Sequence, residues 1–116
     1  MENKTETWQD RFSLTTCAAV DFDSAMAEDA SGVAVIYASQ PSGETIFLVI
    51  ESRVSSLRSQ CARRLQTAIF PVGAALSVSF RAEVMLKDKP EEVYAACRQQ
   101  VMLAGELRRV LRPAMR

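Results

Sequence analysis

Residues 32–66 read GVAVIYASQPSGETIFLVIESRVSSLRSQCARRLQ, and this stretch decides the fold. Two apolar runs, 32–38 and 45–50, flank a polar turn at Gln40-Pro41-Ser42-Gly43-Glu44. Unbroken apolar runs of this length predict strands covered on both faces. Pro41, Ser42 and Gly43 supply the turn chemistry that joins them. A helical pattern follows over 52–67, where Val54, Leu57, Cys61 and Leu65 recur at steps of three and four. That spacing builds one apolar stripe to face a sheet, with Arg53, Arg58, Arg63 and Arg64 in the other directions.

Pro71 and Gly73 then break the chain. Over 74–86, Leu76, Val78, Phe80, Ala82 and Val84 alternate with Ser77, Ser79, Arg81 and Glu83. A period of two predicts a strand with one buried and one polar face. Lys87-Asp88-Lys89-Pro90-Glu91-Glu92 is a helix start, since proline suits the first turn and the glutamates suit the positive dipole end. The helix is expected over 90–111 and must stop before Pro113. Its inner stripe is read as Val93, Cys97, Val101, Ala104, Leu107 and Leu111, widened by Leu103 and Val110. On the N-terminal side, residues 1–9 carry no pattern. Residues 11–22 (RFSLTTCAAVDF) read as a strand, and Asp23 or Ser24 could cap a short helix to Asp29 that ends at Ser31-Gly32.

These elements predict an α/β (α+β) domain: a small central β-sheet, made of a hairpin plus a third strand, flanked by helices, with an added N-terminal edge strand. Residues 1–31 form an acidic extension ahead of a domain at 32–116. The extension carries seven acidic side chains against Lys4 and Arg11, a net of −5, and the remainder carries 12 basic and 7 acidic, a net of +5. The safer reading of the acidic front is a solvated surface rather than an intramolecular cover. At 116 residues with 48% apolar and 24% charged side chains, this is one ordinary globular domain. No apolar run approaches the roughly 18 residues of a membrane span, and the acidic start MENKTETWQD does not read as a secretory signal. Cys17, Cys61 and Cys97 match no metal or redox spacing, and histidine is absent. The cysteines are therefore expected to pack as small reduced hydrophobes in a cytoplasmic protein, with no metal and no cofactor.

From Gly32 onward the order β-turn-β-α-β-α resembles the GIY-YIG nuclease domain, over roughly 85 of the residues. Gly32-Val33-Ala34 is similar to the first motif, and Leu48-Val49-Ile50-Glu51-Ser52 to the second. Arg58 follows Leu48 by ten residues, which is similar to the spacing of the family's catalytic arginine. The run from Val101-Met102-Leu103-Ala104 through Leu107 to Arg112-Pro113 resembles the closing helix. Carried over residue by residue, the resemblance puts Ala34 and Leu48 at the two tyrosine positions and Ile50 at a glycine. It puts Ala104 at the metal-binding glutamate and Arg116 at the closing asparagine, so only Arg58 is retained. Tyr37 points to the face opposite Ala34, and Glu106 lies about 200° around the helix from Ala104. Gln100 shares the face of Ala104 but is neutral. Metal-assisted phosphodiester cleavage needs an oxygen ligand for the ion, so the resemblance implies a scaffold without its catalysis.

Two function classes are therefore expected. One is a catalytically inactive nucleic-acid binder whose phosphate contacts are Arg58, Arg63 and Arg64 on one helix and Arg109, Arg112 and Arg116 on the other. The other is a protein-interaction or homodimerisation module, in which Met102 and Met115 widen a contact patch near the last helix. An active metal-dependent endonuclease with ligands relocated to Glu51, Glu83 or Glu106 comes third.

Overall fold

A computed structural model of the chain describes residues 6–52, 56–68, 70–71, 73–84 and 89–114. Its centre is one antiparallel sheet of four strands in the order β1-β4-β2-β3. The strands are β1 (Thr15–Ala18), β2 (Ala30–Gln40), β3 (Gly43–Ser52) and β4 (Leu76–Val84). The helices are α1 (Trp8–Arg11), α2 (Phe22–Ala25), α3 (Leu57–Thr67) and α4 (Pro90–Leu111), with a 3-10 turn over Ala19–Asp21. The mixed architecture is the predicted one, with a hairpin of β2 and β3, β4 beside it, and an N-terminal strand at the edge.

The sheet separates two cores. The face carrying Ala34, Ile36, Ala38, Leu48, Ile50 and Val78 packs on α3 through Leu57 and Cys61, and on Phe22 of α2. The opposite face carries Val33, Val35, Tyr37 and Val49 and packs on Ala104 and Leu107 of α4. Leu57 and Leu107 are fully buried, one in each core, and truncating a leucine at such a site costs about 2–5 kcal/mol. The pairing register slips between Ile36 and Tyr37, where Ile36 faces Leu48 but Tyr37 faces Ile46. Phe47 is the extra residue, and the bulge lets Phe47 and Leu48 both join the α3 core.

Several predicted boundaries are corrected. Residues 11–22 do not form one strand: only Thr15–Ala18 pairs with β4, α1 precedes it and a 3-10 turn and α2 follow. The helix expected to end at Ser31-Gly32 stops at Ala25, and β2 has begun by Ala30. Gly32 is no terminator. A Cβ there would lie 2.0 Å from the Arg81 carbonyl oxygen, so glycine is required by the close approach of β4. α3 starts at Leu57 rather than Ser52, which closes β3, because Ser56 is the cap and accepts a bond from the Ser59 amide. Val54 of the expected stripe and Arg53 of the outer side lie outside the described residues.

The polar face expected of β4 holds at Arg81 and Glu83, which are exposed, and is corrected at Ser79. β4 is an interior strand, so Ser79 is as buried as Val78. Its hydroxyl lies 2.7 Å from the Thr16 hydroxyl and 3.3 Å from that of Tyr37, which satisfies it without water. α4 keeps its predicted bounds. Pro90 stands in the first turn with Glu91 and Glu92, and Arg112 caps the end at φ +50°.

Candidate interaction surface on the last helix

α4 lies across the sheet with only its C-terminal half seated. Ala104 and Leu107 are buried against Val33, Val35 and Val49, with Leu103 and Leu111 beside them. The N-terminal half passes over the end of β4 instead and leaves a cleft of about 430 Å³, bounded by Ser31, Arg81 and Glu83 below and Gln99, Gln100 and Met102 above. Beyond Phe80, β4 has no neighbour on the β1 side among the described residues, since β1 pairs only with Ser77–Phe80. Gln100 replaces an apolar residue on the inner side of the helix. It is 7% exposed, and its Oε1 has no hydrogen-bond partner.

This placement corrects the inner stripe read from the sequence. Val101 is 38% exposed and Val110 is exposed too, while Val93 and Cys97 are only half-buried. The helix is rotated so that Gln100, Ala104 and Leu107 face inward. Its outward side then carries Glu91, Tyr94, Arg98, Val101, Met102, Gly105 and Arg109, which fall within one stripe at 3.6 residues per turn. Tyr94 is 68% exposed and Met102 72%. Two large apolar side chains so open, next to Val101, form an unpartnered face rather than scattered surface residues. Met102 was legible as a patch residue. Tyr94, Arg98 and Gly105 were not, although their recurrence with Val101 at steps of four, three and four was the available signal.

α4 is tied to the edge strand β3 by one of its arginines. Arg108 donates to the Val49 carbonyl oxygen at 3.2 Å and pairs with Glu51 at 3.5 Å on β3. Glu106 and Arg109 form a 2.6 Å ion pair along the helix. That pair holds the Glu106 carboxyl below the usual range, chiefly through the Arg109 hydrogen bond, and raises Arg109 in return.

The arginines expected to contact phosphate do not converge. Arg58, Arg63 and Arg64 ride on α3, and Arg109 and Arg112 on α4, which packs on the opposite face of the sheet. Arg58 Nε lies 3.7 Å from Asp23 of α2. Arg63 is exposed, Arg64 half-buried, and Arg112 is exposed at the α4 cap. Arg116 and Met115 lie outside the described residues.

The positions matched to the nuclease motifs are divided in the same way. Ala34 and Leu48 are in the α3 core with Arg58 above them, whereas Ala104 is in the α4 core. Tyr37 is on the α4 side, as its spacing from Ala34 predicts. Glu51 pairs with Arg108, Glu83 is on the cleft floor and Glu106 is on the outer side of α4. Among the described residues, no three cysteine or carboxylate side chains are grouped as metal ligands. Cys61 is fully buried, and burial, then the Asp23 and Cys17 charges, push its thiol up to about 12. Such a thiol is not a nucleophile near neutral pH. Cys17 and Cys97 are half-buried, short of the burial expected of them. No described helix is long and apolar enough to cross a membrane. Comparison with family models, curated proteins and solved structures finds no match to this chain.

Proposed function

We propose that the chain is a non-catalytic interaction module that binds protein through the outward side of α4. The observation that carries this reading is the exposure of Tyr94 and Met102 beside Val101 on one stripe of a helix whose opposite side is locked into the core. Aromatic, methionine and arginine side chains are the residues enriched where proteins meet, and Tyr94, Met102, Arg98 and Arg109 supply all three on that stripe. The fold serves as a platform. A domain of this kind needs no cofactor.

A second reading has one observation in its favour, the exposure of Arg63 next to Arg58 and Arg64 on α3. It takes the chain as an inactive GIY-YIG-like scaffold that binds nucleic acid there. Heparin-column retention set against light-scattering mass separates the two. Early elution is expected for the protein-binding module. Strong retention, with oligonucleotide binding lost in Arg63→Ala, would overturn it in favour of the second. Nicking of supercoiled plasmid with Mg²⁺ that follows the protein peak and disappears in Arg58→Ala would overturn both.

A further inference from the structure

The cleft under the N-terminal half of α4 is lined by polar groups that the fold itself does not use. Gln100 is 7% exposed on the inner side of the helix, in line with the apolar Ala104 and Leu107, and its Oε1 has no hydrogen-bond partner. A buried carboxamide left in this state works against folding, whereas leucine at the same place would not. Ser31, 5% exposed, lies on the cleft floor. The space between them, about 430 Å³, is far more than one ordered water fills at roughly 30 Å³. It falls within the roughly 300–1,000 Å³ of small-ligand sites.

The charges on the floor select the ligand. Val33 pairs with Arg81 and Ser31 with Glu83, so a guanidinium and a carboxylate stand at alternate positions on one side of β4. Alternate positions on a strand are about 6.6 Å apart. Neither side chain has an ion-pair partner among the described residues. A purely anionic ligand is drawn to Arg81 but repelled by Glu83, and a purely cationic one the reverse, so a ligand carrying both charges suits the pair best. Beyond Glu83 the cleft runs into a recess that Glu92 also lines. Glu92 is paired with Lys89 at 3.7 Å, which leaves Glu83 as the carboxylate for a bound cation.

We propose that the cleft binds a short peptide with both ends free. Its terminal carboxylate sits on Arg81, its terminal ammonium on Glu83 and its peptide unit on the Gln100 carboxamide. Extended residues span at most about 3.3–3.6 Å each, so a dipeptide matches the distance from Arg81 to Glu83. A peptide unit offers an N–H and a C=O, the complement of a carboxamide, and its N–H supplies the donor that Gln100 Oε1 lacks. The site faces the sheet and does not rest on the reading of the outward side of α4.

Amide NMR spectra of the full chain titrated with alanylalanine test this. Saturable shifts are expected at the Gln100 side-chain amide and at the Ser31 and Glu83 backbone amides, with the α3 resonances unmoved. N-acetyl-alanylalanine and the C-terminal amide of alanylalanine should each bind about tenfold more weakly or worse, because each lacks one charged end. Arg81→Gln should remove the preference for the free carboxylate, and Glu83→Gln the preference for the free amine. Gln100→Leu should abolish binding while raising the urea midpoint, which separates lost binding from lost folding. No saturable shift at alanylalanine concentrations on the order of tens of millimolar would overturn the proposal. Binding indifferent to the blocked ends, or unchanged in Gln100→Leu, would overturn it too. Each of these failures leaves the protein-binding reading standing, because that reading is decided by the heparin and oligonucleotide experiment.

Discussion

Arg108 closes the outer edge of the sheet by donating to the Val49 carbonyl oxygen at 3.2 Å while its guanidinium pairs with Glu51. β3 is one of the two edge strands of the sheet, and its outward carbonyls would otherwise be open to another chain. The Ala114 amide takes a second of these, the Ile46 carbonyl, at 3.0 Å. One helix thus covers a core and blunts an edge. Arg108→Ala should cost about 1–2 kcal/mol by urea unfolding, because a charged donor to a partly buried carbonyl is lost. It should also raise turbidity on prolonged incubation as the edge opens.

Gly32 allows β2 and β4 to approach at one point. Gly32→Ala would drive a methyl group into the Arg81 carbonyl, and backbone cannot move aside as a flexible side-chain tip can. The loss expected is at the upper end of the roughly 1–3 kcal/mol of overpacking, or beyond it. Gly105→Ala, where space is open, should leave the monomer as stable or make it slightly more so, since alanine is the better helix former. Thermal unfolding of the two variants side by side checks this. Equal losses would mean that the strand spacing at Gly32 is wrong.

Cys61 gives the chain an alkaline limit. In the unfolded chain a thiol ionises near 9, whereas burial pushes Cys61 up to about 12 in the folded protein. Between these values the unfolded state releases a proton that the native state keeps. Stability is therefore complete below about pH 9 and falls as pH rises towards 12. Cys61→Ala should flatten that part of the profile while costing stability at neutral pH through the cavity it leaves. Urea midpoints measured from pH 8 to 10.5 would show it, and an identical slope in the variant would contradict it.

Much of the fold was legible in the chain because its local signals agree. Pro90, the two glutamates after it and Pro113 mark the ends of α4 unaided, and Pro41-Ser42-Gly43 marks the hairpin. Periodicity misled where burial depends on a neighbour that the sequence does not reveal. Ser77 and Ser79 look like a solvent face until β1 pairs alongside β4 and Thr16 and Tyr37 satisfy the Ser79 hydroxyl. Gly32 looks like a stop until the Arg81 carbonyl is seen beside it. On α4, Val101 belongs to the apolar stripe by count. The choice of Gln100 as the buried residue depends on where the helix rests on the sheet, and no spacing encodes that. The surface was legible in the same partial way, through Met102 but not through Tyr94 and Arg98. The arginines of α3 and α4 could be listed from the chain, but not their separation by the sheet.

The most direct measurement is hydroxyl-radical footprinting of the whole chain at rising protein concentration and with added oligonucleotide. If α4 is the contact surface, Met102 and Tyr94, both open in the single chain, should lose reactivity several-fold when the chain binds protein, and added oligonucleotide should leave the labelling of the α3 peptide unchanged. Met26, already buried in the α3 core, should not change. Undiminished labelling of Met102 and Tyr94 at every concentration, with protection appearing instead on the α3 peptide carrying Arg58, Arg63 and Arg64 when oligonucleotide is added, would contradict it.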